Sequence, residues 1–165
     1  MKKRITYEDA FSFANKHCPG EICAIANSDI YYDETLSLFH TMKEKDWEKT
    51  FFAITRYNDD GILQEGSQGS QDTWVFKSPL LFNDEELREL RFHFGVPACD
   101  NRLVYLFHKN GYNVVNPCND IITHHLHQSN IRTYTNKDRL PGPVRYVHPS
   151  GLFPEEDMTS KFYAR

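Results

Sequence analysis

Apolar and polar positions divide the chain into short alternating segments. Thr6-Tyr7-Glu8-Asp9 has the form of a capping box with acidic residues in a first helical turn, and Ala10, Phe11, Phe13 and Ala14 continue that helix. Cys18-Pro19-Gly20 ends it. Ile22-Cys23-Ala24-Ile25-Ala26 is an unbroken apolar run, whose length and lack of alternation predict a strand buried on both faces, as in a parallel sheet. The run stops at Asn27-Ser28-Asp29. A second helix is predicted from Asp33 or Glu34, with Leu36, Phe39 and Met42 at helical spacing. Thr50 to Tyr57, centred on Phe51-Phe52-Ala53-Ile54, predicts another buried strand.

The polar stretch from Asn58 to Gln71 is the longest predicted loop, and loops of that length in compact domains usually carry function or move. Asp72 to Lys77 predicts a short strand. Asn83 is placed to cap a helix through Leu90, and a further helix is expected from about Asp100 to Asn110, closed by Gly111. Tyr112 to Asn116 and Ile121 to His127 predict two more strands. From Gln128 the chain turns polar and proline-bearing, which predicts an extended tail packed over the body. Strands alternating with helices predict an α/β layer structure.

Composition narrows this picture. The 165 residues suit one domain, and 39% hydrophobic with 14% aromatic residues exclude wholesale disorder. The 19 basic against 23 acidic residues give a net charge of -4, which argues against a nucleic-acid partner, whose binding needs clustered positive charge. No apolar stretch approaches the roughly 18 residues of a membrane span, and no apolar segment follows the basic start, so a soluble, cytoplasmic chain is expected. Cys18, Cys23, Cys99 and Cys118 show no CxxC spacing; four reduced thiols are expected, with Cys23 as a small buried hydrophobe.

Four constellations could carry chemistry. Asn27-Ser28-Asp29 falls at the carboxyl end of an apolar strand, where open α/β sheets bind ligands, and Asp29 beside polar neighbours suits Mg²⁺ or Mn²⁺; the same three residues also suit a plain turn. On a strand, His125 and His127 would share a face that His124 does not, a spacing that can chelate a metal or serve ordinary hydrogen bonds. Asp100 stands at a helix start, where the dipole favours its ionised form; it is either a general base or an N-cap. Trp74, beside Asp72, either stacks on a sugar or base or belongs to the core.

Taken together and in order, Ala26 to Asp33, Ser70 to Lys77, Cys99 to Arg102, Gly111 to Pro117, and His125-Leu126-His127-Gln128-Ser129 with Arg132 and Tyr134 resemble a glycosyltransferase-like family of the GT-A fold found in bacteria and large viruses. The resemblance spans roughly residues 4 to 148. It implies a GT-A-like, partial Rossmann-like mixed sheet flanked by helices over 1–148, followed by an extended tail over 149–165. It also implies transfer of a sugar from a nucleotide-sugar donor to an acceptor hydroxyl on a glycan or small molecule, assisted by Mn²⁺ or Mg²⁺. Asn27-Ser28-Asp29 would occupy the DxD position, with Asn27 in place of the first Asp and Asp29 as metal ligand. His127, with His125 in reserve, would complete the metal shell. Asp100 would deprotonate the acceptor in an inverting displacement, while Asp72, Trp74, Asn101 and Arg102 would line the donor and acceptor pocket.

GT-A domains normally begin with strands and helices that hold the nucleotide base. This sequence starts at the helix before the DxD strand, and an uncovered sheet edge there would invite a homodimer. Two other readings accompany this one. The first is a catalytically degenerate GT-A relative that binds carbohydrate or protein. The second is a small metal-dependent hydrolase built on His125, His127 and either Asp29 or Asp100, with Zn²⁺.

Overall fold

The computed structural model describes residues 4–126, 135–154 and 162–163. Helix α1 (Tyr7–His17) starts at a capping box in which Thr6 and Asp9 satisfy each other's amides, as the sequence predicts. Strands β1 (Ile22–Ala26), β2 (Ile30–Tyr32), β3 (Thr50–Ile54) and β4 (Thr73–Lys77) precede helices α2 (Asp84–Glu89) and α3 (Cys99–Lys109). Strands β5 (Asn113–Val115), β6 (Thr123–His125), β7 (Val144–Arg145) and β8 (Phe162–Tyr163) complete the order. The segment expected as a second helix is a 3-10 helix, Glu34–Thr41, capped by Asp33.

The central sheet runs β1-β4-β3-β5. Its β1–β4 and β4–β3 pairs are antiparallel and β3–β5 is parallel, so the molecule is a mixed α/β structure. β2 and β6 form a separate antiparallel ribbon. The amide of Tyr57 and the amide of His125 tie this ribbon to the chain leaving β3.

Both faces of the sheet centre are covered. Phe51, Ala53, Trp74, Phe76 and Val114 point into a core shared with Tyr7 and Phe11 of α1 and with Leu103 and Phe107 of α3. Phe52, Ile54, Val75 and Val115 point the other way, against Phe39, Trp47, Ile121 and Leu152. Unbroken apolar runs in β3 and β4 therefore mean burial on two faces, here in strands that pair antiparallel with each other.

β1 departs from its expected place. It is an edge strand, and Ile22 and Ala24 on one face are exposed while Cys23 and Ile25 on the other are half-buried against the first core. Small residues make up most of this run, so its apolar character did not require a cover on both sides.

The C-terminal segment packs over the body. Val144, Val147, Ser150 and Leu152 are buried, and β7 lies against α3. Asn116 organises this end. Fully buried, it accepts from the Thr55 amide at 3.1 Å through its side-chain oxygen and donates to the Thr55 hydroxyl at 3.0 Å. Its backbone carbonyl accepts the Ser150 amide at 2.8 Å. Among the described residues no helix is long and apolar enough to cross a membrane.

Candidate functional site

Antiparallel pairing places the start of β4 beside the ends of β1 and β3, and polar side chains gather there. The Asn27 amide donates to Asp72 at 2.7 Å, and the Arg56 guanidinium meets the other Asp72 oxygen at 2.6 Å. Arg56 also donates to Gln64 from the long loop, at 3.1 Å. Asp72 thus bridges the chain leaving β1 to the chain leaving β3, and it is itself largely buried.

The start of α3 enters the same region from the first core. Ala98, not Asp100, is the N-cap, and it sits in the left-handed region at φ 69°. Asp100 lies within the first turn; one carboxylate oxygen accepts from the Asn101 amide at 3.0 Å and the other from the Gln71 amide at 3.3 Å. Burial pushes its pKa up to about 6 against these hydrogen bonds, and the negative charge of Asp72 adds to the push. The helix dipole favours the ionised form of Asp100, and desolvation works against it. A carboxylate with that proton affinity is half-poised as a base near neutral pH. Complete burial, then the neighbouring Cys99, and after these the charges of Asp100 and Asp72, raise the Tyr7 hydroxyl well above its ordinary range.

A second arrangement flanks the first. Asp29, on the turn after β1, meets His125 at 3.0 Å, and Asp33 meets His124 at 2.9 Å. The two histidines of β6 face opposite sides, as the two-residue period demands, and each finds an acid bordering β2. Asp33 is held below the usual carboxylate range by bonds from Thr35 and His124, against a burial effect of opposite sign. His125 is mostly buried and Asp29 is half-exposed. His127 lies outside the described residues. Among the described residues no group of three or more His, Cys, Asp and Glu side chains assembles into a metal shell. Asp29 and His125 offer one oxygen and one nitrogen donor, and at 3.0 Å they are hydrogen-bonded to each other.

The remaining candidates separate. Ser28 is exposed on the turn. Trp74 is a core residue, 1% exposed, with its ring edge-on to Tyr7 at 5.1 Å and to Phe94 at 5.9 Å, so neither ring face is open to stack on a sugar. Asn101 is buried, and its amide nitrogen lies beneath Gly69, where a Cβ would stand 3.5 Å away. Arg102 turns to the C-terminal segment: it donates to the Pro143 carbonyl at 3.0 Å and lies over the Tyr105 ring. Sequence reasoning missed Arg56 and passed over Gln71. A lone cation ending the apolar run of β3 was the available signal for Arg56.

Comparison with protein-family models, curated proteins and solved structures finds no match for this chain.

Proposed function

We propose that the chain is a GT-A-like glycosyltransferase domain that moves a sugar from a nucleotide-sugar to an acceptor hydroxyl. The observation that supports this reading is the gathering of Asn27, Arg56, Asp72 and Asp100 at the ends of β1 and β3, with the Asp29–His125 pair two residues beyond Asn27. In this reading Asp100 accepts the proton of the acceptor hydroxyl as the oxygen attacks, and its raised proton affinity matches that task. Arg56 holds Asp72, which in turn accepts from Asn27, so the three keep one geometry at the strand ends. Asp29 and His125 would hold a divalent ion, whose charge offsets the negative charge growing on the departing diphosphate.

Thermal denaturation against UDP-, GDP- and dTDP-sugars, with and without Mn²⁺, tests the reading. A ligand that binds only the folded chain raises its melting temperature. The expected result is a rise that needs both Mn²⁺ and one nucleotide-sugar and that is lost in Asp29→Asn. Asp100→Asn should keep the rise and lose transfer. Absence of any rise with every pair would overturn the donor site.

A further inference from the structure

The turn that joins α1 to β1 carries two of the four cysteines, and it stands apart from the polar site. Cys18 is the C-cap of α1 and Cys23 is the second residue of β1. The backbone between them is fixed. The Glu21 amide donates to the Cys18 carbonyl at 3.2 Å, Gly20 takes the left-handed φ of 85° that such a turn requires, and Gly20 and Glu21 are hydrogen-bonded to Ser78 on both sides. This geometry brings the two side chains to the same side of the turn, where the Cys23 thiol donates to the Glu21 carbonyl at 3.8 Å and feels the Cys18 sulfur beside it. Both are only partly buried, whereas Cys99 and Cys118 are enclosed in the two cores.

We propose that Cys18 and Cys23 are a reversible dithiol–disulfide pair, closed by exchange with a low-molecular-weight disulfide such as glutathione disulfide. Each step is a thiolate attack on a disulfide sulfur. The Cys18 thiolate attacks one sulfur of glutathione disulfide, forming a Cys18–glutathione bond and releasing one glutathione thiolate, which takes up the proton lost by Cys18. The Cys23 sulfur then attacks the Cys18 sulfur as its own proton passes to solvent. The second glutathione leaves as the thiolate and is protonated. Two protein thiols are oxidised and one glutathione disulfide is reduced to two thiols.

The order of attack follows from the surroundings. Burial and the neighbouring Cys18 sulfur push the Cys23 thiol up to about 11, so Cys23 stays protonated at neutral pH and the first attack belongs to Cys18. Because Cys23 must give up a tightly held proton to close the disulfide, closure is faster as pH rises.

The test uses the whole chain, reduced and then incubated with glutathione disulfide, quenched with an alkylating reagent, digested and read by mass spectrometry. The expected result is loss of two hydrogens per chain, with one disulfide-linked peptide pair containing Cys18 and Cys23, and with Cys99 and Cys118 still thiols. Cys23→Ser should instead accumulate the Cys18–glutathione mixed disulfide, and added dithiothreitol should restore free thiols in both proteins. Full alkylation of Cys18 and Cys23 after oxidation would overturn the proposal. So would stable glutathione on both cysteines of the unsubstituted chain, or a disulfide linking either to Cys99 or Cys118.

Discussion

At the scale of single residues, Asp100 couples the candidate chemistry to stability. Its carboxyl titrates near 6 in the folded chain, above the ordinary carboxylate range that applies when unfolded. The folded state therefore holds this proton more tightly. The stabilisation it brings is fully present below pH ~4 and is lost as pH rises through about 6. Over that window the group costs the native state about 1–3 kcal/mol. Denaturant unfolding at a series of pH values should show this fall in the unsubstituted chain and a flatter profile in Asp100→Asn. Equal slopes would place the titration elsewhere. In the proposed reaction, transfer should rise with pH through the same window, because only the ionised carboxylate accepts a proton.

Legibility in the sequence followed locality at this scale. The Thr6–Asp9 capping box and the turn at Asn27 to Asp29 involve neighbours along the chain and were readable. The partnership of Arg56 with Asp72 depends on which strands pair, and no local pattern announces a cation reaching across 16 residues. Trp74 was ambiguous for a related reason: a tryptophan at a strand start is equally suited to a pocket or a core, and only the packing of Tyr7 and Phe94 around it decides.

At the scale of elements, β3 separates two cores that differ by one position in sequence. Phe51 stacks on Phe107, with ring centroids 3.5 Å apart, while Phe52 lies edge-on to Phe39 at 5.0 Å and to Trp47 at 5.6 Å. Phe51→Leu and Phe52→Leu should each cost about 1–2 kcal/mol in equilibrium unfolding. Because the two rings share no partners, the double substitution should sum to within ~0.5 kcal/mol despite their adjacency. A coupling above ~1 kcal/mol would show that the sheet transmits packing from one face to the other. Existence of most elements was legible from apolar runs and caps, but pairing direction was not. The run in β3 and the run in β1 look alike as text. One is enclosed by helices on one side and by 3-10 turns on the other, and the other forms an edge, because coverage is set by elements distant in sequence.

At the scale of the whole molecule, the α/β layering was readable as an alternation of strands and helices, whereas the mixed order β1-β4-β3-β5 was not. The buried amide of Asn116 has a consequence for where this chain can be shortened. A cut at His148 would fall in a region that looks dispensable as text, proline-bearing and polar. It would remove the Ser150 amide that Asn116 satisfies, the Leu152 amide that Asp120 accepts at 2.7 Å, and the Leu152 side chain that fills the second core. Loss of one buried leucine and its anchoring bonds should lower stability by about 2–4 kcal/mol, read as an earlier urea midpoint, whereas a cut after Pro154 spares all three and removes the β8 strand that pairs with β7. Protein engineers choosing an end for a shortened or fused version should therefore keep the chain through Pro154 rather than stop soon after β6.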